Sequence, residues 1–561
     1  MQKISSIGMT DQVPTLVRHD FRFWGGFRAL MVPVLLFALY LLAFGLIQFR
    51  QTGFLDNDSY YHMRMAALIR EQGLKVDFTW LPLSTLDREG YTNLHLFHHV
   101  YLSLFAGDGS PESLVFGGKV ASVLMAALIG VVLWAILRAE KVRWPALWSL
   151  GLLAISVTFL VRLSLTRAMS AALVMQLLAV YLLLRRRYFW LMPLGFIYVW
   201  WYDAYPMLLA VIFAYLAATL LSERRIAWGA LVWSLLGVTL GVVLHPYFPQ
   251  NIQGTVFEVV RGNMLGIDQG SAAATPDPAM VLDRPIVVGD EWARFNGGEL
   301  IASAGVAVAL WLVGMVLALS GRPHLADQPL TNWRERVVAR IPERPLLFAM
   351  FLSMGFGLLM LMAQRFIEYF PAYALLLIAL ASRPVVDRLA RQPQRARALA
   401  VLMALAILLP IWPSIGLGYY TKGLPDQMVA DYIDAAAWMH EHVPAGSRIF
   451  LSLWDMFPWL FFYNTDVEYT LGLDPRYSYN YDPELYALYD RMLRGRVEQP
   501  GPIIYERFGA QYVLVRAMGW MDVEGQKKRM LPGIIKAAGE DPTMERVYDK
   551  GSVVIYKITM P

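Results

Sequence analysis

The sequence predicts a polytopic α-helical membrane protein of about eleven transmembrane helices, N-terminus in and C-terminus out, carrying a C-terminal periplasmic α/β domain. Three observations predict it. Of 561 residues, 57% are hydrophobic and 17% charged, against roughly 25% charged in soluble domains. Apolar runs of membrane-spanning length recur through the first three-quarters of the chain. Basic residues cluster at every second boundary between those runs. The same composition excludes a disordered chain, a collagen-like fibre and a disulfide-stapled secreted domain. Cysteine is absent, which removes thiol nucleophiles, thiolate metal sites and iron–sulfur clusters. The net charge of +5 is small for this length and does not point to nucleic acid.

The first apolar run, 29–49, follows Lys3, Arg18, Arg22 and Arg28. At about 20 residues it is long enough to span the hydrocarbon layer. Its exit, Gln48-Phe49-Arg50-Gln51, has no small-residue cleavage pattern, so it reads as an anchor. Further runs lie at 114–137, 145–161, 168–184, 189–202, 206–221, 227–244, 300–319, 345–363, 366–381 and 398–418. The basic clusters are Arg138/Lys141/Arg143, Arg185 to Arg187, Arg224/Arg225, Arg334 to Arg344 and Arg383 to Arg397. They mark the cytoplasmic face. The transmembrane part is thus 1–420, with external loops at 50–112 and 246–298, and 421–561 lies outside, read as the periplasm beyond a bacterial inner membrane. In that last part, 426–442 is helical in pattern and 448–453 is strand-like. A second strand, 511–516, follows Phe508-Gly509, and 547–558 forms a hairpin turning at Asp549-Lys550-Gly551.

Against this pattern, Arg162, Arg167 and Arg365 stand at outer ends of spans. Snorkelling to headgroups accounts for any one of them. All three together favour a cationic site for phosphate or pyrophosphate, whose oxygens the guanidinium fork pairs two at a time. The first outer loop opens with Asp56-Asn57-Asp58-Ser59-Tyr60-Tyr61-His62. Asp58 reads either as a helix cap or, with Asp56, as a ligand to a divalent metal that neutralises a leaving pyrophosphate. With His95, His98 and His99, four of the nine histidines fall between positions 62 and 99. The spacing of His95 and His99 permits zinc, but no glutamate lies between them as in zinc proteases; contacts to a headgroup or sugar are the preferred reading. Glu291, at the mouth of the second outer loop, reads as a metal ligand, as an acceptor-orienting group, or as an ordinary loop carboxylate. Asp203 interrupts an aromatic belt of Trp200, Trp201, Tyr202 and Tyr205 and suits sugar hydroxyls. Trp454 and Asp455 follow a strand directly, a usual position for binding residues.

The order of these features resembles the catalytic subunit of oligosaccharyltransferase, of the bacterial and archaeal type, within the multi-spanning C-type glycosyltransferases. Asp58-Ser-Tyr-Tyr-His-Met-Arg64 looks like that family's first Asp motif, in which the Asp binds metal and contacts the acceptor. Arg365-Phe-Ile-Glu-Tyr369 resembles its arginine motif, which touches the lipid pyrophosphate. Leu453-Trp454-Asp455 resembles its Trp-Trp-Asp acceptor motif, and Glu291 occupies the place of its external-loop Glu. The resemblance implies transfer of a sugar or oligosaccharide from a polyprenyl-(pyro)phosphate donor to a protein, lipid or glycan acceptor. On this reading Asp58, Asp56 and Glu291 are catalytic and hold Mg²⁺ or Mn²⁺. Arg365, Arg167 and Arg162 take the donor phosphate, His98, His99 and Asp203 the sugar, and Trp454 and Asp455 the acceptor. Two departures stand out. The family's second acidic motif follows an arginine at the second external turn; here Arg167 is present, but Val174 and Gln176 stand downstream with no carboxylate. The acceptor motif continues as Met456-Phe457 instead of Tyr-Gly, which leaves an asparagine sequon open as the acceptor. The alternatives are a transferase acting on lipid or polysaccharide, or a flippase of lipid-linked sugars; a flippase usually carries ionisable residues at mid-membrane, and these spans have few.

Overall fold

A computed structural model describes residues 20–258, 289–320, 341–420, 426–517, 519–523, 526–530 and 533–560. Most of the second outer loop, 259–288, lies outside the described residues, as do Lys3, Arg18 and the basic segment from Arg334 to Arg340.

Each apolar run of the sequence is helical. Six helices among the described residues are long and apolar enough to cross a bilayer: Leu30–Gln48, Pro111–Ala139, Pro206–Glu223, Gly297–Ser320, Arg344–Met362 and Pro393–Gly418. Two bent pairs raise the count to eight if each is one span. The remaining apolar helices, such as Met169–Leu184 with 16 residues, are short. At about 1.5 Å per residue such a helix reaches roughly 24 Å, less than the ~30 Å hydrocarbon layer. Length alone therefore carries six to eight spans of the expected eleven.

One of the bent pairs shapes the molecule. Pro145–Ile155 and Val157–Ser164 meet at 90° because Ser156 leaves the helical region (φ −165°, ψ 123°). Its hydroxyl accepts from the Phe159 N–H at 3.1 Å and starts the new helix, and it donates to the Ser303 carbonyl at 2.6 Å, pinning the elbow to another span. The second arm carries Arg162 sideways towards the segment Gln364–Glu368.

The C-terminal unit holds a five-stranded mixed sheet in the order β2-β1-β3-β7-β6. Its strands are β1 (Arg448–Leu451), β2 (Glu468–Tyr469), β3 (Tyr512–Arg516), β6 (Met544–Lys550) and β7 (Val553–Ile558); β4 (Gly519–Val523) and β5 (Gln526–Met530) form a separate ladder. β1 runs parallel to β2 and β3, and β7 runs antiparallel to β3 and β6. The strands and terminal hairpin expected from the sequence are thus present, the hairpin starting three residues earlier, at Met544 rather than Val547.

The loop at 50–112 is not a separate piece. Its apolar residues join the C-terminal unit in one core. Trp80 packs edge-on against Phe461 (5.0 Å between ring centroids) and its indole N–H donates to the Thr465 carbonyl at 2.8 Å. Tyr60 packs on Phe462 (5.2 Å), and Arg64 Nε donates to the Phe462 carbonyl at 2.8 Å. A hydrogen bond from Tyr469 N–H to the Trp80 carbonyl (2.9 Å) extends the union to the backbone. Burial of these rings, at about 25 cal/mol per Å² of apolar surface, fixes the start of the Asp58–Gln72 helix relative to the sheet.

In the membrane part, the first two long spans cross at Gly130, where a Cβ would run into the Tyr40 ring. Tyr40 hydroxyl donates to the Ser149 carbonyl at 2.6 Å and Ser149 hydroxyl to the Gly130 carbonyl at 2.7 Å, so three helices share one contact. Gly130→Val is expected to cost about 1–3 kcal/mol by overpacking, read as a lower Tm in detergent; an unchanged Tm would contradict this packing.

Candidate active site

A cavity of about 450 Å³ opens between the outer loop, the elbow's second arm, the turn at Tyr202-Asp203, the Glu291 segment and the C-terminal unit. Asp56, Asp58, Arg162, Arg167, Asp203, Glu291, Arg365 and Trp454 all line it. Residues far apart in the chain are thus brought together where the sequence places a site.

Asp58 is the first residue of the Asp58–Gln72 helix, and its cap position is held by Asn57. Its carboxylate is turned instead onto Arg167, at 3.1 Å. Asp56 accepts a hydrogen bond from the Ser59 hydroxyl, which in turn accepts from the Thr166 N–H at 3.2 Å. The loop that carries the acids therefore clamps the turn that carries Arg167. Glu291 lies within reach of three guanidinium groups: Arg162 at 2.8 Å, Arg167 at 3.2 Å and Arg365 at 3.5 Å. Arg162 Nε also donates to Glu368 at 2.7 Å, and that carboxylate is fully buried. Arg365 donates to the Tyr202 hydroxyl at 2.8 Å and lies 4.1 Å over the Trp292 ring.

The carboxylates differ in character. Burial pushes the Asp56 carboxyl up to about 6 against the pull of Arg167, and burial likewise raises Asp58 above the usual range. Burial would raise Glu291 too, but Arg167, Arg365 and Arg162 outweigh it and hold that carboxyl well below the usual range. Elsewhere on the cavity wall, burial and the neighbouring Asp203 and Asp474 raise Glu258 to about 7, and Tyr477 hydroxyl donates to it.

Three residues assigned to the site lie elsewhere. His98 and His99, on the helix Leu96–Ser103, are buried and do not line the cavity; His62 and His95 do. His99 Nδ1 meets Asn93 Oδ1 at 2.9 Å and its Nε2 meets His62 Nδ1 at 2.8 Å, so it supports His62 from behind. Asp455 pairs with Arg516 at 3.3 Å, and its carbonyl accepts from Asn57 Nδ2 at 3.3 Å. It fastens the Asp58 loop to the sheet while Trp454 faces the cavity. Sequence reasoning missed Glu368, Tyr202 and Trp292. Glu368 offered a signal, an acid three residues beyond a wrong-side arginine.

The acidic residues do not fit a divalent ion as they stand. Asp56, Asp58 and Glu291 converge on the guanidinium of Arg167 and not on a shared point. Among the described residues no group of three or more His, Asp or Glu is arranged to hold a metal. Gln176 is buried, donating to the Tyr198 hydroxyl at 2.9 Å and accepting from Tyr373 at 2.7 Å.

No family model and no curated protein matches the sequence. Solved structures do. The archaeal oligosaccharyltransferase AglB from Archaeoglobus fulgidus, in complex with an inhibitory peptide and a dolichol-phosphate, matches with a TM-score of 0.60 and 13% identity, over 89% of this chain and 70% of that one. The Archaeoglobus fulgidus oligosaccharyltransferase in complex with Zn and sulfate gives 0.58 and 14%, over 86% and 68%. ArnT from Cupriavidus metallidurans, bound to undecaprenyl phosphate, gives 0.50 and 14%, over 93% and 97%. The chain shares the fold of these oligosaccharyltransferase and ArnT structures. The cavity lies amid the elements that the sequence resemblance singles out.

The histidines give a test of the buried cluster. Burial holds His62 and His99 well below the ordinary imidazole value and His95 and His98 at about 3. The unfolded chain takes up protons at these positions below about pH 6.5, and the folded chain does not. Their contribution is therefore full above that pH and is lost as pH falls, by up to about 1.4 kcal/mol per pH unit for each. Asp56 and Glu258, whose carboxyls are raised, act in the opposite sense, so the diagnostic is a comparison. His98→Leu is expected to lose less Tm than wild type between pH 7 and 5; parallel curves would contradict a neutral buried cluster.

Proposed function

We propose that the protein is a glycosyltransferase that moves a sugar or oligosaccharide from a polyprenyl-(pyro)phosphate donor to an acceptor at the periplasmic face of a bacterial inner membrane. On this reading the chain has eleven spans, N-terminus in, with 421–561 in the periplasm. The observation that carries it is the convergence of three largely buried arginines and a carboxylate of raised pKa on one cavity, within a C-type fold. Structures of that fold in complex with dolichol-phosphate and with undecaprenyl phosphate support the donor class.

The donor phosphate docks on Arg365, Arg162 and Arg167, taking over hydrogen bonds that Glu291 otherwise receives. The acceptor hydroxyl or amide gives its proton to Asp58, a carboxylate whose hold on a proton burial strengthens, and attacks the anomeric carbon. The bond from that carbon to the phosphate oxygen breaks, and its electron pair stays on the oxygen. Guanidinium N–H groups meet the charge that gathers there, and donors held in place beforehand need no reorganisation as that charge develops. Asp203, Glu258 and Tyr477 face sugar hydroxyls, and Trp454 bounds the acceptor side.

The pairing of Asp455 with Arg516 favours a second form of the reading, in which the acceptor is a lipid or glycan and not an asparagine sequon. The test is mass spectrometry of lipid-linked glycans and periplasmic glycoconjugates in cells with the gene, without it, and with Asp58→Asn. Donor is expected to accumulate without the gene and with Asp58→Asn, while the variant is still inserted in the membrane. Full transfer by Asp58→Asn would contradict the assignment. Loss of a lipid or polysaccharide modification with every protein glycan retained selects the second form.

A further inference from the structure

We propose that Arg167 is the resident cation of this site, occupying between Asp56, Asp58 and Glu291 the place where the sequence resemblance puts a divalent ion, so that the chain has no use for that ion. The inference rests on the transferase reading only for what the cation does, not for where it sits.

The geometry is that of a guanidinium site. Arg167 nitrogens lie 3.1 Å from Asp58, 3.2 and 3.4 Å from the two oxygens of Glu291, and 3.8 Å from Asp56. A Mg²⁺-like ion needs oxygens at about 2.0–2.1 Å around one centre, in near-octahedral array. Here the oxygens are spread around the edge of a planar fork: its two terminal nitrogens donate to the two oxygens of Glu291, and Asp58 and Asp56 are ion-paired beside them, the arrangement in which carboxylates bind arginine.

The side chain is also held in place from its backbone. The Thr166 N–H donates to Ser59, which donates to Asp56, and Thr166 hydroxyl accepts from Gln48 Nε2 at 3.2 Å. The turn bearing Arg167 is thus tied to the segment bearing the acids, which keeps the guanidinium among them. One helical segment further on, Val174 and Gln176 are packed in the core, Gln176 between two tyrosine hydroxyls. The positions downstream of Arg167 from which the resemblance would draw further acidic ligands supply none.

Charge makes the choice exclusive. Arg162, Arg167 and Arg365 face Asp56, Asp58, Glu291 and Glu368, so the cluster is already close to neutral. A divalent ion entering it would stand within a few ångströms of a buried guanidinium, and Coulomb repulsion at that distance is severe where water is scarce. A cation carried by the chain offers N–H donors to the leaving phosphate whatever the supply of metal outside.

The test is Mn²⁺ binding to the purified full-length protein in detergent after EDTA treatment, followed by electron paramagnetic resonance of free Mn²⁺, with Tm measured in EDTA and in Mn²⁺. Wild type is expected to bind no stoichiometric Mn²⁺ and to keep the same Tm in both. Arg167→Ala takes the guanidinium from Asp56 and Asp58 and leaves Glu291 with two of its three arginines; it is expected to gain a Mn²⁺ site and a Mn²⁺-dependent Tm, both lost on adding Asp58→Asn. If Arg167→Ala does not fold, the wild-type measurement decides alone. One Mn²⁺ bound per wild-type chain, and lost in Asp58→Asn or Glu291→Gln, overturns the proposal. Absence of any transfer with no Mn²⁺ bound would instead sink the transferase reading and leave the arginine in its place.

Discussion

Glu291 is the counter-ion on which the site depends. Three guanidinium groups from three separate elements approach it within 3.5 Å. Three like charges at such distances, largely buried, are tolerated only where anions neutralise them. Glu291 and the fully buried Glu368 do so, and in doing so they hold together the elbow's second arm, the turn after it and the segment following Arg344–Met362. An incoming phosphate has the same demand for N–H donors as Glu291, so the resting network already has the shape of a phosphate site.

The rest of the fold serves to place Asp58 against that network. The outer loop and the C-terminal unit share one aromatic core, and the Asp455 carbonyl holds Asn57, one residue before Asp58. The Ser59–Thr166 hydrogen bond closes the other side. Asp58 is thus positioned by the sheet on one side and by the apolar helices on the other. Beside this junction His62 is hydrogen-bonded to His99, and His99 in turn to Asn93; burial keeps these imidazoles neutral.

Much of this was legible in the sequence for a physical reason. Apolar runs must become helices in lipid, because no water satisfies their backbone groups, and each run did. The three arginines were legible because the topology rule makes them exceptions, and they cluster. The choice between His62 and His98 was not legible, because the face a short helix buries depends on what packs on it. Asp455 could not be separated from its acceptor role, since its partner Arg516 lies at the end of another strand. The metal expectation came from acids read as a set, and spacing along the chain does not reveal that the cation between them is an arginine. The elbow at Ser156 is not legible in the sequence, because a serine within the apolar run 145–161 carries no sign of the carbonyl from another helix, at Ser303, that holds it.

The central claim is that the arginine cluster recognises a lipid phosphate. Native mass spectrometry of the detergent-released protein with polyprenyl phosphate, and with polyprenol of the same chain length, tests it most directly. The account predicts one retained phosphate lipid per chain, little retention of the alcohol, and loss of the difference in Arg365→Ala. Equal retention of the two lipids by wild type would contradict it.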